Sequence, residues 1–177
     1  AIMLAGTCSS RIVMNVPEAH STGAEMELFI APTDRFDFGI TASYVDSEVD
    51  SDIGTVIQDG DRQPVVPEFS LAANATYSWP FTSTVDGFIT GTYQYVGSRY
   101  TQIGDQADGF GTFAVRNFGA PTISTFTFDP ELPSYDIGNV RFGVRGDAWE
   151  AALFLSYVSD ENAKLGLAQE RGAVEID

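Results

Sequence analysis

Side chains alternate with a period of two over nine to eleven consecutive residues at several places in the chain, and no run keeps a helical period of 3.6. In TGAEMELFI (22–30), Thr22, Ala24, Met26, Leu28 and Ile30 fall on one side, and Gly23, Glu25, Glu27 and Phe29 on the other. FDFGITASY (36–44) and FSLAANATYSW (69–79) repeat the design. Successive side chains of a β-strand point to opposite faces, so each run is a strand with one apolar and one mixed face. Further strands are expected near 85–100, 134–145 and 148–158, giving six, and the tail ENAKLGLAQERG has weak helical spacing at best.

The connections alternate in length. APTDR (31–35), PFTST (80–84) and Gly146-Asp147 are short, whereas 49–67 and 101–133 are long, with 159–177 read as another long one. Tight turns therefore collect at one end of the sheet and long loops at the other, the asymmetry of outer-membrane barrels. Arg145-Gly146-Asp147 spells an adhesion tripeptide, but Gly followed by Asp suits a two-residue hairpin turn with positive φ. Such a turn sets Val144 against Trp149, Phe142 against Ala151 and Val140 against Leu153. Around APTDR the same counting pairs Leu28 with Phe38, Met26 with Ile40, Ala24 with Ala42 and Thr22 with Tyr44.

Composition narrows the partners. A formal charge of −16 with only 9 Lys and Arg argues against nucleic acid, which needs clustered cations. Cys8 is the only cysteine, which excludes an internal disulfide and a thiolate cluster. His20, the only histidine, reads as an ordinary loop residue, and no nucleophile–His–acid set accompanies it. No apolar run is long enough for a transmembrane helix. AIMLAGTCSSR lacks the basic start of a signal peptide, and the missing initiator Met suggests a fragment or a processed product.

Strand length and aromatic placement favour a membrane barrel over a soluble sandwich. Nine to eleven tilted residues match a bilayer, whereas soluble strands are usually shorter. Phe36, Trp79 and Trp149 lie near the tight turns, and Tyr44, Phe69, Tyr95 and Tyr157 near the long loops, as two headgroup-level belts would.

Specific segments also carry a family resemblance. PEAHSTGAEMELFIAPTDRFDFGITASYVDSEV resembles the Gly-x-Glu-x-Glu strand, Pro-Thr-Asp turn and aromatic strand of TonB-dependent outer-membrane receptors. VPEFSLAANATYSWPF is similar to the descending strand that follows a Pro-x-x-Pro stretch there, and YQYVGSRY to an ascending strand. LPSYDIGNVRFGVRGDAWEAALFLSYVSDE resembles the penultimate hairpin, with Ser156-Tyr157 where an Asn is usual. The resemblance covers roughly residues 15 to 162.

What this resemblance implies is an all-β fold: about six antiparallel strands of a transmembrane barrel, 22-stranded in that family, that cannot close alone. Residues 1–177 would be the C-terminal portion, without the plug domain or the final aromatic strand. The implied role is active import of a large scarce nutrient (a siderophore, cobalamin or a saccharide) at the outer membrane, driven by the TonB complex. No catalytic residue and no cofactor are expected. Partners would be outer-membrane lipid and lipopolysaccharide, the receptor's own plug, the TonB complex and the imported ligand.

Arg99, Tyr100, Gln102 and Phe110 would face the extracellular mouth, although loop residues touching only water or headgroups are the plainer reading. Glu25, Glu27, Asn139 and Arg141 would face the lumen and plug. The acidic run DSEVDSDIGT offers Asp50 and Asp52 to a Ca²⁺ ion, but it lacks the spacing and central Gly of an EF-hand loop and equally describes a solvated loop. Two other functions share much of this patterning: a passive porin or structural barrel, and a secreted acidic β-sandwich that binds carbohydrate.

Overall fold

The computed structural model describes residues 15–116, 123–158, 167–170 and 173–176. Its centre is one antiparallel sheet of six strands, and no helix occurs among the described residues. In chain order the strands are β1 (Ala19–Thr33), β2 (Phe36–Val49), β3 (Phe69–Pro80), β4 (Val85–Val96), β5 (Arg99–Tyr100), β6 (Thr112–Arg116), β7 (Ile123–Thr127), β8 (Glu131–Leu132), β9 (Tyr135–Gly146), β10 (Trp149–Val158), β11 (Leu167–Glu170) and β12 (Ala173–Ile176). The main sheet runs β1-β2-β3-β4-β9-β10, so β1 and β10 are open edges and the sheet does not close on itself. The pairs β5-β8, β6-β7 and β11-β12 form separate two-stranded ladders. The last of these replaces the connection, with its weak helical spacing, that the tail sequence suggests.

The faces fall as the alternation predicts. Met26, Ala42 and Leu71 are successive neighbours across β1, β2 and β3. Ile89, Phe142 and Leu153 continue the same face across β4, β9 and β10. None of the described residues covers this face: Met26 is 50% exposed, Phe142 52% and Leu155 70%. A water-soluble domain rarely leaves so wide an apolar surface open. The opposite face carries Glu25, Glu27, Thr41, Asn74, Thr76, Thr90, Thr92, Asn139 and Arg141, with Phe88 in β4 and Phe29 and Phe154 on the two edge strands among its apolar members.

Two aromatic levels bound the apolar face. Tyr77 stacks on Trp79 near the tight turns, with ring centroids 6.0 Å apart, and Phe69 meets Tyr95 at 6.0 Å near the long loops. Phe69 to Trp79 spans about 33 Å along the strand. A tilt of about 40° projects that to about 25 Å, the height of a barrel's apolar band. β1 and β2, at 15 and 14 residues, run on past this level toward the long loops.

Both hairpins differ from their expected register by two residues on the partner strand, so every side chain keeps its face. The turn after β9 is Asp147-Ala148, not Gly146-Asp147, so Val144 faces Ala151, Phe142 faces Leu153 and Val140 faces Leu155. No residue of this turn has positive φ, and neither has Gly146. The glycine serves close approach instead, since a Cβ there would sit 2.8 Å from Nε1 of Trp149, its cross-strand neighbour. Trp79 lies over Gly87 in the same way. In the first hairpin the turn shortens to Asp34-Arg35, and Leu28 pairs with Ile40, Met26 with Ala42 and Ala24 with Tyr44. A register shift between Ile30 and Thr33 absorbs the difference. Pro32 sits inside it, where a residue without an N–H does least harm to the ladder.

The run expected as one strand over 85–100 breaks at Gly97-Ser98. Gly97 N–H donates to Phe69 O at 2.9 Å, and a Cβ on Gly97 would lie 2.8 Å from the same oxygen. Beyond this pinch Arg99 and Tyr100 leave the main sheet to pair with Leu132 and Glu131.

Candidate functional site

The long connections at the far end of the sheet fold into a layer of their own. Val49, Ile57 and Leu132, three of the four buried apolar side chains among the described residues, lie there, together with buried Ser47, Arg99 and Asp105. The fourth, Phe88, is at the tight-turn end. The layer begins where residues 60–63 turn back along the end of β2. Val49 N–H donates to Asp61 O, Gly60 N–H to Val49 O and Gln63 N–H to Ser47 O, each at 2.9 Å.

Arg62 joins three segments. Its guanidinium reaches Glu68 Oε1 at 3.2 Å through Nε, Glu131 Oε1 at 3.2 Å through Nη1, and Ser98 O at 2.9 Å through Nη2. It also lies over the Tyr100 ring, 5.6 Å from the centroid. Gln106 closes the fold around its backbone: Oε1 accepts Arg62 N–H at 3.1 Å and Nε2 donates to Arg62 O at 2.9 Å. Val65, at φ 67°, is a β-branched residue in the left-handed region, held there by its N–H bond of 2.7 Å to Tyr100 O.

Of the residues the sequence nominates for the mouth, all four belong to this layer, in different ways. Arg99 is only 8% exposed and lies over the Tyr135 ring, 5.4 Å from its centroid. Tyr100 is half-buried, and burial followed by the Glu131 charge pushes its phenol above the usual range, against the pull of Arg62. Gln102 is exposed and donates its N–H to Asp105 Oδ2 at 2.8 Å. Phe110 is half-buried and meets Phe128 edge-on, with centroids 6.1 Å apart. Asp105 also accepts Thr101 N–H at 3.1 Å. Burial raises its pKa, and these two N–H bonds oppose the rise.

The lumen nominees occupy the polar face. Glu25 and Glu27 stand on the edge strand opposite Ser43 and Thr41. Asn139 Nδ2 donates to Thr92 Oγ1 at 3.2 Å. Arg141 pairs with Glu150 Oε1, while Arg145 Nε reaches Glu150 Oε2 at 2.9 Å, and both guanidiniums cover the buried Phe88. Arg145 of the adhesion-like tripeptide is thus tied across its own hairpin.

The two nominated Ca²⁺ ligands have other engagements. Asp50 Oδ1 lies 2.6 Å from His20 Nδ1, and Asp52 Oδ1 accepts Asp59 N–H at 2.9 Å. His20 is accordingly in β1 and not in a loop. Among the described residues no group of three or more His, Cys, Asp or Glu could hold a metal ion. The sequence reading missed Arg62, Asp105, Gln106 and Tyr135. Arg62 had a visible signal, being the one cation in an otherwise acidic stretch from Asp46 to Glu68.

A family model described as TonB dependent receptor-like, beta-barrel matches residues 2–156. Comparison with curated proteins and with solved structures finds no match.

Proposed function

Because the chain belongs to the TonB-dependent receptor β-barrel family, a family of outer-membrane transporters, we propose that it forms part of a receptor importing a large, scarce nutrient. One observation supports this reading most: a single exposed apolar face runs across six strands between two aromatic levels. Lipid is the solvent that suits such a face. The polar face then looks inward, where Glu25, Glu27, Asn139 and the Arg141–Glu150–Arg145 cluster would meet the receptor's plug. The open edges β1 and β10 would pair with further strands of the same barrel.

The loop layer is the side of the protein that would first meet a ligand, with Arg99, Tyr100, Gln102 and Phe110 contributing to the mouth. Import would be active, coupled to the inner-membrane TonB complex, with a siderophore, cobalamin or a saccharide as cargo. Uptake of labelled ferric siderophore, cobalamin and oligosaccharide by cells with and without the protein tests this. At least one should enter only with the protein present and only while the proton-motive force is intact. Protein-dependent uptake that survives an uncoupler would identify a passive porin instead.

A further inference from the structure

The apolar face has a hollow in its middle. An open depression of about 390 Å³ lies there, with Ala73 and Ala75 of β3, Gly91 of β4 and Gly138 of β9 as its floor. Phe38 and Leu155 stand at its two sides. Toward the tight turns it ends at an unbroken cross-strand row of large side chains, Phe36, Tyr77, Ile89, Phe142 and Leu153. Toward the long loops its rim is Tyr93, whose cross-strand partners Ala73 and Gly138 leave it low on either side. The depression is therefore blind at one end and open at the other.

The two glycines of the floor are not explained by packing among the described residues. Gly87, Gly143 and Gly146, in the same two strands, each hold a neighbour so close that a Cβ would lie 2.8 Å or less from it. A Cβ on Gly91 would meet nothing within 4 Å, and one on Gly138 only Thr92 O at 4.0 Å. Neither glycine has positive φ. Glycine weakens a strand, and where neither a turn nor a tight internal contact calls for it, it marks the close approach of another molecule. A hollow left empty also forfeits dispersion contacts along its lining.

We propose that the depression seats the end of one lipid acyl chain entering from the outer leaflet. Depth identifies the occupant. Ala73 and Ala75 follow Phe69 along β3, which puts the floor about 10–15 Å below the outer aromatic level at a tilt of about 40°. That is the middle of an apolar band about 25 Å high, where chain ends meet and no polar partner is available. The polar side chains next to the floor are engaged on the other face, where Asn139 Nδ2 donates to Thr92 Oγ1. A chain from the opposite leaflet would meet the Tyr77–Ile89–Phe142 row first. The inference rests on the membrane placement in the import reading and is independent of the cargo.

Native mass spectrometry of the full-length receptor, released from detergent after titration with a saturated phosphatidylethanolamine, tests this. One lipid should stay bound at collision energies that strip the others. The double variant Gly91→Leu, Gly138→Leu grows its new side chains into open space. Its apparent affinity for that lipid should fall about tenfold, the equivalent of about ten lost carbon–carbon contacts. Ala42→Leu, on the same face but outside the depression, should retain the lipid as the native protein does. In lipid-free detergent the double variant should unfold no earlier than the native protein, since glycine has left two strands. Equal retention by all three proteins, or a tightly held lipid in none, would overturn the proposal. So would earlier unfolding of the double variant, which would show that the glycines serve packing within the fold. A native dimer that the double variant abolishes would overturn it too, by placing a second copy in the depression. Uptake is not read here, so a failure of import leaves the result standing, whereas a receptor soluble without detergent would remove the reading on which the seat depends.

Discussion

Replacing Arg62 with Met should loosen the loop layer while leaving the six-stranded sheet intact. Met keeps much of the aliphatic stem and removes only the head, whose side chain is 18% exposed. The Glu68 pair contributes least, because that carboxylate is 56% exposed, and together with Glu131 it is worth about 1 kcal/mol. The charge-assisted bond to Ser98 O adds about 1.5 kcal/mol or more, and stacking on Tyr100 about 0.5 kcal/mol. The total is about 3 kcal/mol, or about a hundredfold in a local opening equilibrium.

Hydrogen exchange reads that equilibrium amide by amide. The Gln63 and Val65 amides, bonded to Ser47 O and Tyr100 O, should exchange about a hundredfold faster in Arg62→Met. Amides of β3 and β4 in the centre of the sheet should keep their native rates. Equal acceleration in both places, or none in the loops, would refute Arg62 as the tie of a separately stabilised layer.

Asp105→Asn should be at least as stable as the native protein near pH 7. Burial raises the carboxyl's pKa in the folded state, so folding favours the protonated form, and the native protein should gain stability as pH falls through that raised pKa toward the unfolded value. Denaturant titration from pH 7 to 4 should show this gain in the native protein and its absence in the variant. Val65→Gly should raise loop stability by about 1 kcal/mol, since a β-branched residue at φ 67° is strained and its exposed side chain loses little packing. Protease resistance of the loops would report the change, and a decrease would show that Val65 packs on something essential. Phe142→Arg, in the middle of the apolar face, should cost about 2–4 kcal/mol in refolding into bilayers, whereas Asn139→Arg on the polar face should cost far less.

The faces were legible in the sequence because alternation carries parity, and parity survives small errors of register. Moving Val144 from Trp149 to Ala151 leaves an apolar pair apolar, so the pattern could not choose between the two. The choice comes from shape: Trp149 needs the bare Gly146 beneath it, and Pro32 needs the irregularity in β1. The same reasoning explains why Arg99 and Tyr100 looked like the end of β4, as nothing in the spacing announces the pinch at Gly97. The loop layer was the least legible part. Arg62 and Glu131 are 69 residues apart in sequence, and no local period links them. The chemistry-bearing residues near positions 99–110 stood out by type alone, while the partners that define their roles did not.

The central claim is that the apolar face lies in lipid and the polar face does not. Single spin labels along β3, in a Cys8→Ser background reconstituted in bilayers, test it most directly. Labels at 71, 73 and 75 should be open to dissolved oxygen and closed to a water-soluble nickel complex, and labels at 72, 74 and 76 should show the reverse preference. Water accessibility at 71, 73 and 75, or no alternation between neighbouring positions, would contradict the membrane barrel.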